Sequence, residues 1–501
     1  MTSTTPSSPG LGTASRPGAG AHVGARIAEL GVDPAAVEDL LDALEQPGLD
    51  PHALVVARHG VPVLRGTWAP YRADVPGLVY SVSKTFTSIA IGHLVAEGRL
   101  TVDDLAGQIL GLPDPTGITV RHLLTMNSGH TTEQVAAAGF DSASLLAAVP
   151  EHAPGTHFVY SSPASMVLSS VVTALTGQPL TAYLRPRVLD PLGIESPWWV
   201  PHVDGGLAIE QGFSGLHLTV DDVARLATAM VDGGRYDGAQ VIPAAWVDAM
   251  QRGWSDNADR SADGGTDHDW AQGYGYQVWR SRRGFRADGA YGQFGLAVPD
   301  QGLAVGYLGA TRTTDRVLDA FWRFAERLSD GPVAAGDHAV ARLGRRLAAL
   351  DTWTPDGART GPDPETTPPQ VISPVPWTLL EAGDAAGDAA GDAAGTPGTW
   401  RVDVGGHVLD ATHDAWRTHV VPWPHGAADG YAVDDPTLVL SVRARTGDDG
   451  RAEIHAVVPT SPHRLVARGL PGERLDLAWL TTPLWRPSLT TLAVPRTFPV
   501  G

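Results

Sequence analysis

The chain has 501 residues, 43% of them hydrophobic, which is long enough for two or three domains with cores of their own. Its 55 acidic side chains outnumber 36 basic ones, and the resulting net charge of −19 repels nucleic acid and anionic membrane surfaces, so neither is expected as a partner. The absence of cysteine excludes disulfides, thiolate metal sites and a cysteine nucleophile.

Residues 1–22 read as a polar, disordered leader. They hold no basic segment followed by an apolar one, and no stretch of the chain approaches the roughly 20 apolar residues of a membrane span, so a cytoplasmic location is expected. The spacing of Val37, Leu40, Leu41 and Leu44 predicts a helix over 33–46. Residues 52–68 alternate as two strands joined at His59-Gly60. A strongly apolar helix follows Tyr80 and ends near Gly98, and a second is expected from Thr101 as its N-cap. Short helices are expected within 119–129 and over 142–150, and longer ones over 164–177, 219–234 and 314–328. Residues 252–268 are a polar loop, and 274–309 carry consecutive strands.

The composition shifts after about residue 350. Residues 353–371, rich in Pro, Thr and Gly, read as a linker. The GDAA repeats give a low-complexity loop over 382–396, and alternating segments beyond it predict a small β-rich domain over 372–501. The linker and loop suggest few contacts between this domain and residues 23–352, so the latter are expected to fold and work alone.

Of the 36 basic side chains 35 are arginine, and Lys84 is the only lysine. The two cations serve equally at a surface, but only lysine loses its proton in a buried site. Lys84 closes Ser81-Val82-Ser83-Lys84, an S-x-x-K motif at the start of a predicted helix. Residues three apart lie on one helix face, which brings Ser81 Oγ and Lys84 Nζ into one pocket. The positive end of the helix favours negative charge on Ser81, and it combines with burial among Phe86 and Ile89 to favour a neutral amine on Lys84. A neutral amine beside a serine is an activated nucleophile pair.

The segments VYSVSKTFTSIAIGHLVAEGRLTVDD and ITVRHLLTMNSGH, then those around Tyr160, 215–238 and 270–301, resemble the serine β-lactamase-related family. That family includes class C β-lactamases, DD-peptidases, D-aminopeptidases and family VIII esterases. The resemblance spans about residues 50–330. It implies an α+β fold: an antiparallel sheet flanked by helices with a helical subdomain, here followed by the small all-β domain. The family's Y-x-N motif falls on Tyr160-Ser161-Ser162, where the phenol of Tyr160 relays a proton and Ser162 replaces the asparagine that recognises a substrate amide. The third motif falls on Ala287-Asp288-Gly289, followed by Gly292, so the family's cation is absent and a carboxylate stands beside its place. Gly289 is expected to let the strand approach the substrate closely, and the resemblance implies an oxyanion hole formed by the N–H groups of Ser81 and Ala290. The implied activity is that of a serine hydrolase working through an acyl-enzyme on a small ester or amide, with no cofactor or metal. A β-lactamase or penicillin-recognising sensor, and a non-catalytic interaction protein on the same fold, are the alternatives. The sequence leaves the oligomeric state open.

Three further features carry no such weight. Ser255-Asp256-Asn257 spells a class A β-lactamase motif, but too far downstream of Tyr160. His59, His93, His122 and His130 have no metal-ligand spacing, and His130 reads as a loop histidine at the surface. Trp270, Tyr274, Tyr276 and Trp279 fit either a cleft lining or core.

Overall fold

A computed structural model describes residues 22–24, 26–257, 268–354, 357–358, 372–382, 398–423, 437–447, 449–484 and 488–492. Most of the expected leader, linker and low-complexity loop lies outside these residues. The leader's last residue does not: the backbone of His22 pairs with Arg65 as the first rung of the main sheet.

That sheet has seven antiparallel strands in the order His22–Val23, Val61–Thr67, Pro51–Arg58, Leu303–Gly309, Gln293–Val298, Phe285–Gly289 and Trp279–Arg280. Two-residue alternation decides what each face meets. Leu54, Val56, Leu296 and Val305 face a core closed by helices Pro34–Leu44, Thr314–Glu326 and Asp337–Ala348. Ala53, Val55, Ala287 and Ala297 face the opposite core, built with helices Val82–Ala96, Ser162–Thr176 and Val220–Val231. The small residues on this second face have a steric reason. A Cβ on Gly306 would lie 2.6 Å from Val220 O, so the last of these helices rests directly on the strand.

The helix expected from Thr101 starts later, at Ala106–Leu110, because Thr101 is taken up by Asp104, whose carboxylate accepts from both its N–H and its hydroxyl. The helices Thr132–Ala138, Ala244–Gln251 and Asp337–Ala348 were not read from the sequence.

Beyond residue 372 the described residues form two antiparallel sheets over one core. The first joins Trp377–Glu381, Thr399–Val404 and His407–Thr412. The second joins Arg417–Pro422, Thr437–Thr446, Ala452–Val457, Arg464–Gly469 and Asp476–Trp479. Trp377, Trp400, Trp423 and Trp479 fill the core. Leu379 N–H donates to Glu473 O, and Gly472 N–H donates to Leu379 O, tying the first strand to the last hairpin.

The expectation of few contacts with the rest of the chain does not hold. Buried Arg464 pairs with buried Asp50 and also donates to Thr352 O. Asp351 accepts from Trp416 at 2.9 Å and from Arg443 at 2.8 Å. Leu78 N–H donates to Thr460 O, Tyr80 meets His463 and Tyr291 meets Thr482. Loss of either partner of the Asp50–Arg464 pair would strand the other charge in the interior, at about 3–5 kcal/mol, so each part of the chain here completes the buried polar groups of the other.

Candidate active site

Ser81 stands at the N-cap of the buried helix Val82–Ala96, with Lys84 one turn along. The Ser81 side chain makes no capping bond to its own helix, and its Oγ lies 3.0 Å from Lys84 Nζ. Lys84 Nζ also lies 2.9 Å from Phe213 O and 3.3 Å from Ser162 Oγ, the first side chain of helix Ser162–Thr176. Lys84 is 1% exposed. Its burial pulls the amine's pKa down from 10.5 to about 7, against the opposing pull of the Asp288 carboxylate.

Aromatic rings close the pocket. Lys84 Nζ sits 4.8 Å from the ring centre of Tyr160 and 5.8 Å from that of Phe213. Tyr160 stacks on Trp279 at 5.4 Å and meets Tyr274 edge-on at 6.1 Å. Gln277 braces the helices from behind. Its side chain accepts from Ser165 Oγ and donates to Leu123 O and Leu124 O, and its carbonyl accepts from Thr85.

The beta-lactamase family model matches residues 37–327, more than half of the chain. The chain belongs to the beta-lactamase family. Its relatives include a beta-lactamase of Pseudomonas fluorescens, 31% identical over 23% of this chain and 34% of the relative. Another is esterase EstB of Burkholderia gladioli, 30% identical over 32% of this chain and 52% of EstB. The chain thus spans about half or less of the curated relatives it matches. Among solved structures, the octameric penicillin-binding protein homologue from Pyrococcus abyssi is similar at 15% identity and a TM-score of 0.46, over 88% of this chain and 98% of the homologue.

The segment Ala287-Asp288-Gly289, where the third motif is expected, ends strand Phe285–Gly289, which packs against helix Val82–Ala96. Ala287 points into the core, and Asp288 faces the other way. Asp288 is not an isolated anion. Arg286, two residues back on the same side of the strand and fully buried, donates to its Oδ2 at 2.8 Å, and Trp270 also bonds it. Arg283, three residues before Arg286, pairs with Glu326. Burial raises the Asp288 pKa and the Arg286 charge opposes this. A Cβ on Gly289 would stand 2.3 Å from Val79 O, so the close approach is to the segment that leads into Ser81 rather than to a substrate. Ala290 and Tyr291 turn the chain, and Gly292 has φ +90°, which favours glycine.

The remaining candidates of this family member lie in structural roles. Ser255 accepts from Asn127 and donates to Thr125 O, and Asn257 accepts from Gly273 N–H. His130 is buried, not a surface histidine, and bonds Ser128 and Ala148 O. Among the described residues no group of three or more His, Cys, Asp or Glu is placed to hold a metal. Tyr274, Tyr276 and Trp279 are core, while Trp270 covers the guanidinium of Arg286 at 4.7 Å. Sequence reasoning missed Phe213 and Gln277. A backbone carbonyl has no side-chain signature, so nothing in the sequence marks Phe213. The two-residue spacing of Arg286 and Asp288 along a strand was a readable signal for their pairing.

Proposed function

We propose that this chain is a serine hydrolase that cleaves a small ester or amide through an acyl-enzyme on Ser81. The observation that carries the reading is the Lys84 amine, buried, 3.0 Å from Ser81 Oγ and with its pKa near 7. A neutral amine has two N–H donors and one lone pair. Phe213 O and Ser162 Oγ take the two donors, which leaves the lone pair for the Ser81 proton. Lys84 accepts that proton as Ser81 Oγ attacks the carbonyl carbon. The Ser81 and Ala290 N–H groups receive the oxyanion. The proton then passes by way of Tyr160 to the leaving group, and water, deprotonated by the same amine, releases the acid and restores Ser81.

Neutral substrates suit this pocket better than anionic ones. Ala287 supplies no cation, and the cation beside it, Arg286, is buried and tied to Asp288. The test is steady-state and burst kinetics with short-chain p-nitrophenyl esters, D-amino-acid amides and nitrocefin. Turnover of the esters or amides with a burst equal to the enzyme concentration is expected. Efficient turnover of nitrocefin alone would favour a β-lactamase, and a burst without turnover would favour a penicillin-recognising sensor.

A further inference from the structure

We infer that the C-terminal β-sheets hold the reactive serine in position through His463, a positioning residue that clamps Tyr80 beside Ser81 and packs on Tyr291 beside Ala290. The inference rests on the serine hydrolase reading, and it adds that the catalytic geometry is built from both parts of the chain.

Tyr80 immediately precedes Ser81 and has φ +46°. An aromatic residue in the left-handed region is an outlier and persists only where its surroundings fix it. Here they do. The Tyr80 hydroxyl lies 2.5 Å from His463 Nε2, with both side chains buried. His463 Nδ1 faces Thr481 O at 2.7 Å. A carbonyl only accepts, so Nδ1 carries the ring proton and Nε2 is the bare acceptor of the Tyr80 O–H. Burial pushes the His463 pKa down to about 3, so this tautomer persists across the working pH range. The Leu484 backbone N–H supplies the hydroxyl's other partner. Both partners come from the C-terminal part, His463 just before strand Arg464–Gly469 and Leu484 beyond strand Asp476–Trp479.

The same imidazole reaches the other side of the site. Its ring meets Tyr291 edge-on at 5.0 Å and Tyr80 at 5.9 Å. Tyr291 also leaves the usual backbone region, with φ +65°, and its hydroxyl donates to Thr482 O at 2.5 Å. Tyr80 is bonded through its carbonyl carbon to the Ser81 nitrogen, and Tyr291 follows Ala290. One buried histidine therefore packs against the neighbours of both proposed oxyanion donors. The separation of those two N–H groups depends on segments 460–463 and 481–484.

The test uses the full chain carrying Tyr80→Phe, His463→Leu, His463→Gln or the first two combined. The readouts are kcat and KM for a p-nitrophenyl ester that the wild type hydrolyses, with thermal melting as the control for folding. Tyr80→Phe and His463→Leu should each lower kcat by about 10²-fold, the cost of a misplacement near 1 Å, while KM changes far less. Because both break the Tyr80–His463 bond, the double variant should match the worse single variant within about twofold. His463→Gln, which offers an amide oxygen near the place of Nε2, should recover part of kcat. Tyr80→Phe removes one oxygen and keeps the ring, so it decides the matter if His463→Leu melts. A folded Tyr80→Phe variant with wild-type kcat, or losses that multiply in the double variant, would overturn the inference. A wild type inactive on every ester and amide would instead overturn the hydrolase reading.

Discussion

The depressed pKa of Lys84 makes a quantitative demand on the pH dependence of the reaction. A fall from 10.5 to about 7 is worth about 5 kcal/mol in favour of the neutral amine, at 1.36 kcal/mol per unit. At pH 7.5 about three quarters of the molecules then carry a neutral Lys84, against about one in a thousand for an ordinary lysine. The base form is the deprotonated one, so kcat/KM for a neutral ester should rise tenfold per pH unit below about 7 and level off above it. The Asp288 carboxylate favours the protonated amine, so Asp288→Asn should move this limb to lower pH. The assay is kcat/KM from pH 5.5 to 9, corrected for spontaneous hydrolysis, in wild type and Asp288→Asn. A rise that continues past pH 9, or a limb that moves upward in Asp288→Asn, would show that Lys84 is not the titrating base.

Two further outcomes follow. The folded pKa of Lys84 lies below its unfolded value, so the unfolded chain binds more protons between pH 7 and 10.5. The contribution of Lys84 to stability is therefore greatest above pH 10.5 and is lost as pH falls toward 7; Lys84→Met should raise the melting temperature at pH 7 while abolishing ester hydrolysis. Residues 23–352 made alone would expose Asp50, Leu78 and Tyr80 where Arg464, Thr460 and His463 now cover them. That fragment should be insoluble or at least about 10²-fold less active than the full chain assayed in parallel.

Much of this was legible in the sequence because local patterns dictated it. Helix Val82–Ala96 follows from an apolar run closed by glycine, and the adjacency of Ser81 and Lys84 follows from three-residue spacing at its start. The strands around His59-Gly60 and Gly302 follow from alternation and turn chemistry. What was not legible depends on contacts distant in sequence. The carbonyl of Phe213 belongs to the Lys84 site by tertiary packing alone. Tyr80 and His463 are 383 residues apart, and no pattern in either segment announces the other. Composition misled where it stood for contact: a Pro-rich linker and a repetitive loop say how a chain connects, not how much surface the connected part buries. His130 misled similarly, because a histidine in a polar loop can still be buried once Ser128 and Ala148 O satisfy its ring.

The central claim is that Lys84 activates Ser81. It is tested most directly by exposing the full chain to a serine-reactive fluorophosphonate and locating the adduct by peptide mass spectrometry. One adduct is expected, on Ser81, formed at least about 10²-fold more slowly in a folded Lys84→Arg variant, where arginine keeps the charge but cannot act as base. No adduct on Ser81, or labelling of Ser81 at an undiminished rate in folded Lys84→Arg, would contradict it.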